Sequence, residues 1–146
     1  MTRSRIVLAS VLIATLRLPI LVGQPATAAE AATTRAQQAR SMKIRIDVNG
    51  TPVTATLDDN ETSRDFVSLL PLTLTLEDYN STEKISNLPK KLSTKDAPAG
   101  INPSVGDIAY YAPWGNLAIF YKDFGYSRGL VKLGHIDSPA DVFHRP

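Results

Sequence analysis

Lys43 to Val48 alternates charged and apolar residues, so Ile44, Ile46 and Val48 share one side of an extended chain and Lys43, Arg45 and Asp47 the other. That period of two predicts a half-buried strand. Asn49-Gly50 follows at once, the dipeptide best suited to the positive φ angles of a tight hairpin turn, and Val53, Ala55 and Leu57 then face inward on a returning strand. Pro52 has no ladder donor, so this strand is expected to begin at or after it. Asp58, Asp59, Asn60 and Thr62 offer N-caps to a short helix carrying Phe66, Val67, Leu69 and Leu70, which Pro71 ends. With Asn60 as the cap, Glu61 and Asp65 fall in or near the first turn, where carboxylates favour the helix dipole. Capping explains these acids better than catalysis does.

Leu72 to Glu77 returns to period two, placing three leucines on one face of another strand. From Asp78 to Pro103 the chain is mostly polar and carries Pro89, Pro98, Gly100 and Pro103. So long an irregular stretch is uncommon in a compact domain unless it holds short strands or covers a binding site, and both are expected here. Asp107–Ala112 and Leu117–Tyr121 then read as strands, joined by a turn of Pro113, Trp114, Gly115 and Asn116. Leu130, Val131, Leu133 and Ile136 supply a last short strand broken by Gly134. Residues 138–146 read as a loosely held polar tail on which Val142 and Phe143 dock. Short strands without a βαβ rhythm predict a mainly β fold, a small closed antiparallel β-barrel with one or two short helices.

The first 28 residues carry a different pattern. Arg3 and Arg5 precede an apolar or small-residue run from Ile6 to Leu16, and Ala26-Thr27-Ala28 follows Pro25. This is the tripartite arrangement of a Sec-type signal peptide with cleavage after Ala28, which implies a secreted or periplasmic protein. Arg17 and Pro19 interrupt the run short of the roughly 20 apolar residues a spanning helix needs, so no stable membrane span is expected after cleavage. Residues 29–41 have no large apolar side chain and read as an alanine-rich flexible tether, which leaves residues 42–137 as the barrel domain.

Charge and composition narrow the chemistry. Without Arg3, Arg5 and Arg17, thirteen of the sixteen basic residues remain against fourteen acidic ones, so the formal charge moves from +2 to about −1. The remaining cations are scattered, and nucleic acid is not an expected partner. The absence of cysteine removes disulfides, thiolate metal sites and thiol nucleophiles. His135 and His144 are too far apart for a convincing metal site, and no cofactor motif occurs.

Seven of the ten aromatic residues lie between Tyr110 and Tyr126, including the single tryptophan. Tyr110, Ile119 and Phe120 read as core, since full burial of a large apolar side chain is worth about 1.5–3 kcal/mol. Trp114, on a turn, has no place in a core, and amphipathic aromatics on turns are common in recognition surfaces. The candidate ligand-binding set is Tyr79, Glu83, Tyr111, Pro113, Trp114, Asn116, Tyr121 and Tyr126. Its expected guest is a peptide or small molecule.

MKIRIDVNG, LPLTLTLEDY, EKISNLP, GDIAYYAPWGNLAIFY and GLVKLGHID, in that order, give the chain from Met42 to Asp137 a pattern that resembles the bacterial cyclophilin-like family of small proteins. The resemblance implies a cyclophilin-like β-barrel, and through the wider cyclophilins it raises peptidyl-prolyl isomerase activity as the alternative to simple binding. That reaction must lower a rotation barrier of about 18–20 kcal/mol, and an arginine hydrogen-bonding the proline nitrogen does so by weakening amide conjugation. True cyclophilins set this arginine beside a Phe-x-x-x-Gln type of segment. Arg45, Arg64 and Arg128 are the domain's arginines, and none stands in such a context. An isomerase here needs a non-standard site.

Overall fold

The computed structural model describes residues 4–10, 42–138 and 141–144. Its first strand, β1 (Ser4–Ser10), buries Ile6 and Leu8 completely and turns Arg5 and Val7 outward. This is the period of two again, inside the segment expected to be a leader. The Ala26-Thr27-Ala28 motif and the 29–41 tether lie outside the described residues. β2 (Met42–Val48) and β3 (Thr51–Leu57) form the expected hairpin, with Asn49 at φ 52° and Gly50 at φ 87° in the turn. Pro52 lies inside β3, not at its start, opposite Asp47. In an antiparallel ladder alternate pairs exchange no hydrogen bonds, and β10 (Leu130–Ile136) reaches β3 only at Ala55–Leu57. The missing donor at Pro52 is therefore harmless.

Helix α1 (Glu61–Val67) is capped by Asn60, whose side chain accepts a hydrogen bond from the Ser63 N–H at 2.8 Å. β4 (Leu72–Tyr79) follows. The expected irregular stretch contains β5 (Glu83–Asn87) and β6 (Gly100–Ile101). β7 (Asp107–Tyr111) and β8 (Asn116–Phe120) make the aromatic hairpin, with Asn116 beginning β8 and not sitting in the turn. Its pairing opposite Tyr111 takes it into the ladder. β9 (Ser127–Arg128) pairs with β6 in a separate ribbon. β10 runs unbroken through Gly134, where its register against β7 shifts between Lys132 and Gly134 in a bulge. Residues 141–144 form a short helix, α2, and Phe143 is buried.

The eight longer strands close a barrel in the order β1-β2-β3-β10-β7-β8-β5-β4, with every neighbouring pair antiparallel. Inward-facing residues such as Ile6, Ile46, Leu57, Leu76, Ile108, Tyr110, Leu117 and Ile119 fill it, joined by Phe66 and Phe143. Burial of each such side chain is worth about 1.5–3 kcal/mol. A second, smaller cluster lies on the other face of the aromatic hairpin, where Ala109, Ala118, Phe120 and Leu130 meet Ile85, Ile101 and Tyr111. The strands in this part of the barrel are therefore covered on both sides, and β8 is buried from end to end.

Candidate functional site

The second cluster floors a cleft of about 200 Å³. Strand register builds it. Tyr79 of β4 pairs with Glu83 of β5, Glu83 with Phe120 of β8, and Ile85 with Ala118, so their side chains leave the sheet on one side. Tyr111 of β7 pairs with both Asn116 and Leu130 and extends the same surface. Phe124 and Ser127 close it from the segment ahead of and within β9.

Trp114 stands over this floor from the β7–β8 turn, 54% exposed. Its ring meets Tyr79 at 5.5 Å between centroids and Tyr111 at 5.2 Å, with interplanar angles of 85° and 83°. Edge-to-face pairs of this kind are favourable by about 0.5–1.5 kcal/mol each, which fixes an exposed indole that a turn alone would leave loose. Gly115, at φ 73°, supplies the left-handed turn residue that returns the chain into β8.

Two polar groups of the cleft stand apart from its apolar lining. Asn116 is 2% exposed, and among the described residues its Oδ1 has no hydrogen-bond partner. A buried, unsatisfied oxygen costs about 1–3 kcal/mol, and a donor from outside the chain would remove that cost. Glu83 has its carboxyl pushed up to about 7, by burial first and by the negative charge of Asp78 second. Asp78 itself is held below the usual carboxylate range, chiefly by the Tyr121 hydroxyl, which donates to its Oδ1 at 2.6 Å, with Lys84 Nζ at 3.2 Å also lowering it. Burial and Asp78 in turn raise the Tyr121 hydroxyl above its ordinary value.

Of the residues expected to bind ligand, the structure gathers Tyr79, Glu83, Tyr111, Trp114 and Asn116 around one cleft. Tyr121 does not line it; its hydroxyl positions Asp78 behind Glu83. Pro113 packs toward Gly129, whose added Cβ would lie 2.9 Å from the proline Cδ, and Tyr126 is 60% exposed away from the lining. Ile85, Ala118, Phe120 and Leu130 were missed as lining residues. A signal was present for Ala118 and Phe120, because Leu117–Phe120 is apolar at successive positions, and a strand apolar on both faces needs a cover on both. Among the described residues no group of three or more His, Asp or Glu is arranged to hold a metal ion. His135 lies instead against Asp107, Nδ1 to Oδ1 at 3.0 Å, and the His144 side chain lies outside the described residues.

Neither a curated protein nor a solved structure matched the chain. The profile of the cyclophilin-like family matches residues 46–145. The barrel and this match together place the chain in the cyclophilin-like family.

Proposed function

We propose that this chain is a binding module whose site is the cleft beneath Trp114. The observation that carries the reading is the unpartnered Oδ1 of buried Asn116, set among aromatic walls that leave Trp114 half exposed. A protein that merely sealed the outside of its barrel there has no use for a buried acceptor without a donor. At about 200 Å³ the cleft is below the usual range for drug-sized ligands, so it takes a small molecule or one side chain of a peptide. The isomerase alternative needs a cation at the proline nitrogen, and among the described residues no arginine or lysine lines the cleft. Export rests on the N-terminal sequence pattern alone.

Trp114→Ala tests the site. The indole is exposed and belongs to neither buried cluster, so the variant is expected to keep its far-UV circular dichroism and its cooperative melt. A ligand found by screening against the Trp114 indole N–H resonance should bind it about 30-fold more weakly or worse, the loss typical of a central aromatic anchor. A fragment and peptide screen in which no compound moves the Trp114 or Asn116 resonances of the wild type removes the proposal.

A further inference from the structure

The cleft presents one electrostatic sign to a guest. An aromatic ring carries negative charge on its faces, and the Trp114 ring meets its two neighbours, Tyr79 and Tyr111, at 85° and 83°, so the three rings form walls and not a flat stack. Glu83 and Asn116 line the same cleft, and among the described residues the Asn116 Oδ1 is a buried acceptor without a donor. Among the described residues no lysine, arginine or histidine lines the cleft. Ring faces, carboxylate and amide oxygen each attract a cation, whereas an anion meets no positive group there. The volume of about 200 Å³ suits a single compact head group.

We propose that the cleft binds a small organic cation of the alkylammonium class, caged by Tyr79, Tyr111 and Trp114 and held by Glu83 and Asn116. The proposal rests on the binding reading above and names the chemistry of its ligand. An ammonium over aromatic faces gains about 0.5–1 kcal/mol at an exposed ring and about 2 or more when desolvated, and a carboxylate in the same cage adds a charge partner. Quaternary ammonium heads satisfy the rings and Glu83. A head that keeps one N–H also supplies the donor that Asn116 lacks.

Glu83 makes the binding depend on pH. Its charged surroundings are Asp78 on β4, Lys84 beside it on β5 and the Tyr121 hydroxyl after β8, and these three are engaged with one another. Burial and Asp78 favour the neutral acid in the empty cleft. A bound cation favours the carboxylate, so binding releases a proton and tightens as the pH rises through about 7.

The test titrates the full chain with choline and with its neutral carbon isostere 3,3-dimethylbutan-1-ol, by calorimetry and by fluorescence of the single tryptophan. Choline is expected to bind at least about tenfold more tightly than the isostere, and its affinity to rise about tenfold between pH 6 and pH 8. Trimethylamine, tested as its protonated salt, is expected to bind at least as well as tetramethylammonium, because it brings a donor. Glu83→Gln should weaken choline about tenfold at pH 8 and abolish the pH dependence of its binding. If the isostere binds as tightly as choline, the cationic ligand class is overturned while the cleft stands as a binding site. If neither compound binds, the cationic class is overturned too, and the wider screen against Trp114 separately decides whether the cleft binds anything.

Discussion

Asp107 is 4% exposed and keeps its charge only through its partners. Burial alone would push its carboxyl up, yet Lys132 Nζ at 2.8 Å, His135 Nδ1 at 3.0 Å and the Ser104 N–H donating at 3.0 Å hold it below the ordinary carboxylate range. A carboxyl depressed in the folded state contributes stability that is complete above its unfolded value and is lost as the pH falls through the folded one. Acid titration of the melting temperature should therefore show stability declining below about pH 4. Asp107→Asn should lower stability by about 2 kcal/mol at neutral pH and make that acid decline shallower. Equal acid sensitivity in the variant and the wild type would assign the decline to the other depressed carboxyls, Asp65, Asp78 and Asp137. None of this was legible in the sequence, where His135 stood out only as a weak candidate metal ligand. The pair is made by the β7–β10 register, which sets His135 opposite Asp107 across a separation of 28 residues.

That register depends in turn on how β10 passes Gly134. An added Cβ there would lie 2.3 Å from the Thr56 carbonyl oxygen and 2.6 Å from the Leu57 Cα, both backbone atoms of β3 that cannot move aside alone. Gly134→Ala should cost about 3 kcal/mol, the upper end of what overpacking costs in a core, and denaturant melts will measure it. Gly125→Ala is the control, because nothing among the described residues lies within 4 Å of its Cβ position and its φ is not positive; it should melt with the wild type. A Gly134→Ala variant as stable as that control would mean that β3 and β10 can separate at the bulge without loss. Pattern alone took Gly134 for a break, since a bulge and an interruption look the same until the neighbouring strand is known. Elements made by local rules were legible: Asn49-Gly50 set one hairpin, Asn60 capped α1, and period two marked β2 and β4. The cleft was legible in its aromatic rim, Tyr79, Tyr111 and Trp114, because rings on a turn and at a strand end have no core to enter. Its floor was legible only in part: the apolar run Leu117–Phe120 calls for a cover on both faces, but only pairing between strands distant in sequence reveals that Ile85 and Leu130 share the outer side with Ala118.

At the scale of the whole molecule, closure rests on β1. It pairs with β2 through Ile6↔Val48 and with β4 through Ile6↔Leu74, and the Asn49 side chain accepts a hydrogen bond from the Arg5 N–H at 2.9 Å. Its Ile6 and Leu8 fill the barrel interior, so the apolar run that reads as the core of an export signal also reads, residue by residue, as a barrel stave. The two readings give different mature molecules. A chain beginning at Ala29 would leave β2 and β4 as facing edges with unpaired backbone groups, a surface that invites pairing with another strand. A chain that keeps residues 4–10 closes on itself. Deleting residues 1–10 from the cytosolically expressed protein is expected to remove the burial of Ile6 and Leu8, about 3–6 kcal/mol together, in addition to two ladders of hydrogen bonds. The melting temperature should fall and light scattering should report association, and a synthetic peptide of residues 4–10 added in excess should restore the monomer and part of the lost stability. N-terminal sequencing of the protein made in its own cell identifies which molecule exists there. If the deletion variant stays monomeric with an unchanged melt, the barrel does not need its first strand, and the leader reading of these residues is free of any structural cost.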